Sequence, residues 1–398
     1  MKRRSSGVLS CLTATVLLLS QVLMCGCSSK KTEEATSSSE TTTSAEVTSS
    51  SEEVTTTTEP ETTASSSEET TTETWESELP ETTVNGRDIT PYKEITLDGI
   101  KEHHFIADDY CYIESDKFVL FLEKDIEIPG DFVVNVDAII DELEKELGVS
   151  YAPDSYYYLP VPDESYHYGT NPWKDWNIGS KIPIFLNVDR NDEALISCAT
   201  ADFAIFVMYE LFSEEFWNSV PSFRDNSWRR HDYVDYSTIA HELTHTITSR
   251  HHDMSMIMTE GIADYMGRTV LDALADSYPS IAEARANVNL YDERIPEAVN
   301  AENAERIFIE DYSDIDHAHR GAEYTFGRYL CQFLDENYGN DYYKKFNDAI
   351  IGQKINYQYG IYDKIAMTKF ADVMKELFGE DVFTKFGKWC ESNNYLQK

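Results

Sequence analysis

Residues 117–123 read KFVLFLE and 181–189 read KIPIFLNVD, short apolar runs closed by charged or turn residues. A third run, ISCATADFAIFVM, covers 196–208. Their length and their Val, Ile and Phe content predict strands. Between the first two lies FVVNVDAIIDELEKELG at 132–148. There Val136, Ile139, Ile140, Leu143 and Leu147 recur at helical spacing before Gly148 stops the run. The Tyr- and Pro-rich stretch at 155–173 keeps neither period and predicts an irregular surface segment. After about 235 the texture becomes helical, with helices expected near 236–250, 260–277, 321–337, 341–350, 366–378 and 381–392. Tyr324, Tyr329, Phe333 and Leu334 mark one apolar stripe, and Phe370, Val373, Met374 and Leu377 another. The pattern predicts an α+β fold, with a β-rich N-terminal lobe over about 92–225 and a helical lobe over about 235–398.

The first 88 residues follow neither pattern. Met1 to Arg4 carry positive charge, and an apolar run of signal-peptide length follows, ending in Met24-Cys25-Gly26-Cys27. Gly26-Cys27 resembles a bacterial lipobox, with Cys27 as the lipidated first residue of the mature chain; an ordinary cleaved signal peptide or an uncleaved anchor are the alternatives. All three place the protein outside the cytoplasm. Residues 28–88 are almost entirely Ser, Thr, Glu and Ala. With little apolar surface to bury, ordering that stretch has no compensation, so it is expected to be an extended, self-repelling stalk. Residues 89–398 remain for a folded domain, long enough for a sizeable core.

Charge and cysteines narrow the function. The net charge of −39 belongs to tether and domain together, and it argues against nucleic-acid binding. Cys111, Cys198, Cys331 and Cys390 remain after the leader, widely spaced and without Cys-x-x-Cys, which disfavours a cysteine metal site. They are expected as buried thiols or as one or two disulfides.

The chemistry lies in HELTHTITSRHHDMSMIMTEGIAD at 241–264. On a helix His241 and His245 share one face, while Ile239, Leu243 and Ile247 fall on roughly the opposite one. His-Glu-x-x-His can hold zinc through both imidazoles, with Glu242 beside them to take a proton from metal-bound water. A third ligand is needed. His251 stands where a metzincin has its last histidine, but Thr248 occupies the position of that motif's glycine, and β-branched Thr is poor at positive φ. The other candidate is Glu260, 15 residues after His245. Asp264, one helical turn on, could then accept the free ring N–H of a ligand histidine. Gly261 and Ala263 would keep that helix small where two helices meet.

HELTH followed by TEGIADY resembles the gluzincins, especially the peptidase MA-like group. AEYTFGRYLCQFLDENYGNDYY at 322–343, FADVMKELFGEDVFTKFGKWCES at 370–392 and the strand and helix at 117–148 are similar to that group as well. The group's Trp before the Glu ligand is replaced by Met256-Ile257-Met258. The resemblance implies a thermolysin-like zincin with the active-site helix at the junction of the lobes. It implies Zn2+ on His241, His245 and Glu260, Glu242 as catalytic base and Asp264 behind a ligand. An oxyanion donor is expected within DHAHRGAEYTF, where His317, His319, Arg320 and Tyr324 are available and His319 and Tyr324 rank first. The expectation is a lipid-anchored zinc peptidase on the extracellular face of the bacterial cell membrane, cleaving a peptide or protein substrate. The alternative is a non-catalytic surface binding module with a vestigial or structural zinc site.

Overall fold

The runs at 117–123 and 181–189 form the centre of one mixed sheet. The computed structural model describes residues 90–91, 110–151, 180–190, 195–199, 203–225, 227–248, 254–288, 295–312, 321–353, 355 and 364–397, all of them in one compact unit. The expected lipidation at Cys27, the stalk at 28–88, the segment at 155–173, and His251, His317, His319 and Arg320 lie outside these residues.

Strands β1 (Thr90–Pro91), β2 (Tyr110–Glu114), β3 (Phe118–Glu123), β4 (Ile182–Leu186), β5 (Cys198–Ala199) and β6 (Ala204–Phe206) take the order β1-β2-β3-β4-β6-β5. β3, β4 and β6 are parallel, and the strands on either side of them run antiparallel. The residues of β3 and β4 are all buried, which explains why their sequences are continuous apolar runs and do not alternate. Phe121 and Phe185, opposite one another in register, stack with ring centroids 4.6 Å apart. The described residues of the run at 196–208 include two short antiparallel strands, with Cys198 opposite Ile205. Its first half is small and polar, and such residues sustain a strand poorly.

Helix α1 (Phe132–Leu147) lies in the connection from β3 to β4, as parallel neighbours require. It ends where its sequence predicts. Gly148 adopts a left-handed φ of 65° and its N–H donates to the Glu144 carbonyl. The buried polar residues of α1 are paired. Ser115 donates to the Asp137 carboxylate at 2.9 Å, and the Asn135 amide donates to the Tyr236 hydroxyl at 2.9 Å. Among the described residues of 92–225 the longest element is this helix, and α2 (Glu214–Ser219) and α3 (Pro221–Asp225) follow the sheet.

Beyond residue 235 the chain is helical: α4 (Tyr236–Thr248), α5 (Met256–Leu274), α6 (Pro279–Asn287), α7 (Ala304–Glu310), α8 (Ala322–Tyr338), α9 (Tyr342–Gln353), α10 (Lys364–Phe378) and α11 (Val382–Asn393). α5 begins before the expected residue 260, because the Ser255 hydroxyl caps it by accepting the Met258 N–H. α6 and α7 were not legible as periodic runs; α6 opens on Pro279 at its first turn. The expected stripe in α10 shifts by one residue. Leu377 is 38% exposed, while Phe378 is buried and packs on Tyr338. Cys198, Cys331 and Cys390 are buried free thiols. No described helix is long and apolar enough to cross a membrane.

Candidate metal centre

α4 carries the His-Glu-x-x-His segment, and three things fix its position. Asp235 caps its N-terminus, its carboxylate accepting the Ser237 N–H at 3.1 Å and the Thr238 hydroxyl at 2.9 Å. Tyr236 at its first turn is tied to α1 through Asn135. Ile239, Leu243 and Ile247 are all at most 1% exposed, so the expected apolar face is core. The helix runs unbroken through Thr248, whose hydroxyl donates to the Thr244 carbonyl at 2.8 Å. The chain thus makes no turn at the position where a metzincin requires glycine.

The opposite face of α4 meets α5. His241 Nε2 and His245 Nε2 are 3.1 Å apart. Glu260 Oε2 lies 3.4 Å from the first and 3.2 Å from the second. Two ligands at about 2.0–2.1 Å from a tetrahedral ion stand about 3.3–3.4 Å apart, so the three edges match one face of such a sphere. The donor set, two imidazoles and one carboxylate, is one that zinc accepts. Glu260 is fully buried and His245 nearly so. The sequence thus identified the three residues that converge.

The electrostatics are coupled. Burial opposes ionisation of Glu260, but the imidazoles of His245 and His241 outweigh it and hold the carboxyl well below the usual range. Burial also works against a charge on His241; Asp264 and Glu260 outweigh it and raise the imidazole well above its ordinary value. Glu242 is buried beside them and its pKa is raised, chiefly by desolvation, with the imidazoles acting the other way. A carboxylate at 242 with a raised pKa is a better proton acceptor than an ordinary surface glutamate.

Asp264 is where the sequence put it, with Oδ1 3.3 Å from His241 Nδ1. Tyr324, on the first turn of α8, lies parallel to the His241 ring, centroids 6.2 Å apart and planes 9° apart. One residue was not anticipated. Arg328, buried on α8, donates from Nη1 to Asp264 Oδ2 at 3.2 Å. The expected role of Gly261 at a close helix–helix approach holds, and the helix it meets is α8. A Cβ there would fall 2.3 Å from Gly327 Cα, so this glycine closes α5 onto α8, not onto α4. The α4–α5 approach uses Gly267, whose Cβ would lie 3.2 Å from the Ser237 carbonyl oxygen. A cleft of about 660 Å³ opens beside the N-terminal end of α4, lined in part by Glu127, Glu210, Trp217, Arg230 and Tyr233; none of the three converging residues lines it.

No family model matches the chain, and no curated protein matches it at a significant level.

Proposed function

We propose that the chain is a zinc-dependent peptidase of the gluzincin type, with a thermolysin-like arrangement of sheet, active-site helix and glutamate helix. One observation carries the reading: His241, His245 and Glu260 point one donor atom each at a common centre, with edges of 3.1–3.4 Å, and the buried carboxylate of Glu242 stands beside them. Zinc held by this set supplies Lewis acidity, bringing water close to ionisation near neutral pH and polarising a substrate carbonyl. Glu242 takes a proton from the attacking water onto its carboxylate and passes it to the amine nitrogen that leaves. Asp264 keeps the His241 ring oriented through Nδ1. Tyr324, whose ring lies parallel to that of His241, is the first candidate to donate to the developing oxyanion; His319 is the other donor that the sequence offers. A lipid anchor at Cys27 and a stalk over 28–88 would hold the peptidase at the outer face of the membrane.

Glu242→Gln tests the reading. The variant is expected to keep its zinc, measured by elemental analysis, and to lose peptide cleavage by about 1,000-fold or more, since general-base catalysis contributes about 100- to 10,000-fold. Cleavage at the wild-type rate would remove Glu242 from the role. Bound zinc in a wild-type protein that cleaves no peptide in a diverse library would favour the binding-module alternative.

A further inference from the structure

Each glycine of the α5–α8 crossing stands next to a charged residue in sequence, Glu260-Gly261 on one helix and Gly327-Arg328 on the other. A Cβ on Gly327 would lie 2.0 Å from the Ile257 carbonyl oxygen, so the two backbones touch at this point. The close approach carries Arg328 to Asp264. Their side chains are 8% and 20% exposed, and Nη1 is 3.2 Å from Oδ2. The other oxygen of Asp264 is 3.3 Å from His241 Nδ1. Guanidinium, carboxylate and imidazole thus form a line across α8, α5 and α4, and the far nitrogen of the imidazole is the one that faces His245 and Glu260.

We propose that Arg328 is a positioning residue of the metal centre, acting on His241 through Asp264. The inference rests on the zinc reading above. A carboxylate held only by His241 could rotate and offer either oxygen. A guanidinium on Oδ2 leaves Oδ1 for Nδ1, and a fixed acceptor at Nδ1 keeps the proton there and the Nε2 lone pair towards the metal. Arginine suits this task because its donors are planar, directional and always charged. Burying a guanidinium is unfavourable unless it is paired, and packing alone would be met by an apolar side chain of the same length. The rival account is that Arg328 only staples α8 to α5, in which case its removal lowers stability without touching the metal.

The test uses the full chain. Zinc affinity is measured by competition with a chromophoric chelator, and the visible spectrum of the cobalt-substituted protein reports the ligand field. Thermal melts serve as the folding control. Arg328→Met is expected to weaken zinc binding about 10-fold and to alter the cobalt spectrum, with partial recovery in Arg328→Lys, because outer partners of ligand histidines typically contribute about 10- to 100-fold. Asp264→Asn should show a loss at least as large, and adding Arg328→Met to it should cost less than about a further 2-fold, since both changes break one route. Wild-type affinity and spectrum in Arg328→Met, or losses that multiply in the double variant, would overturn the proposal. Should Arg328→Met fail to fold, Arg328→Lys with and without Asp264→Asn makes the same comparison. A wild type that binds zinc through His241 and Glu260 yet ignores Arg328 removes this inference alone. A wild type that binds no zinc removes the zinc reading along with it.

Discussion

Among the helices that α8 packs on, it meets α5 and α11 in opposite ways. Against α5 it uses Gly327 on Gly261, with backbones in contact and polar side chains to either side. Against α11 it uses bulk. Phe333 packs on Phe386 and Trp389 at 5.5 and 5.8 Å, and Tyr329 stacks on Tyr395 at 4.5 Å. The first contact buries little apolar area per residue but fixes distance, because backbone atoms cannot give way as side chains can. The second buries a great deal and fixes distance loosely, since aromatic rings re-pack. A centre whose donor atoms must stay within a few tenths of an ångström of one another needs the first kind of contact; a stable domain needs the second.

The largest expected effect on stability lies in the aromatic contact. Phe386→Ala should cost about 3–5 kcal/mol, the range for emptying a large core site, measured by denaturant unfolding. The folded fraction should bind zinc with wild-type affinity. A loss of affinity beyond that explained by unfolding would mean that the two regions are not separable. Smaller in stability but sharper in kind is a pair of glycine variants. A Cβ at Gly327 meets the Ile257 carbonyl oxygen at 2.0 Å, and a Cβ at Gly387 in α11 meets the Asn300 carbonyl oxygen at 2.2 Å. Each glycine→alanine change should cost about 1–3 kcal/mol by overpacking. Gly327→Ala should also weaken zinc about 10- to 100-fold, as loss of supporting contacts does, and Gly387→Ala should leave it unchanged.

An effect that is absent near neutral pH is expected at alkaline pH and belongs to the packed region. Burial pushes the Cys331 thiol from its ordinary 9.0 up to about 12, and it raises the phenols of Tyr342 and Tyr343 as well. A folded-state pKa above the unfolded one means stability that is complete below pH 9.0 and is lost as pH rises towards about 12. The melting temperature should therefore fall across that range, less steeply in Cys331→Ala. A flat profile would contradict the burial of these groups.

The sequence made the polar half of the site legible because its spacing is local. His241 and His245 are four residues apart, Glu260 and Asp264 likewise, and helical periodicity brings each pair onto one face. Arg328 was invisible for the opposite reason. It lies 64 residues from Asp264, and in GRYLCQF an arginine between apolar neighbours looks like a solvated helix position. The signal available was Gly327 before it, a glycine inside a strongly helical run, which is unfavourable unless something must approach closely. Gly261 carried the same message, but a single glycine shows that a neighbour is near without showing which. At 196–208 the antiparallel pairing of two short strands was not legible, because hydrophobicity alone does not reveal strand direction.

The most direct test of the account is the metal content of the purified full chain, measured by elemental mass spectrometry beside three variants. The wild type should carry about one zinc per chain, the number that a single three-ligand site can hold. His241→Ala and Glu260→Ala should lose it, and His251→Ala should keep it. Full zinc in Glu260→Ala, with loss in His251→Ala, would contradict the carboxylate ligand and the centre built on it.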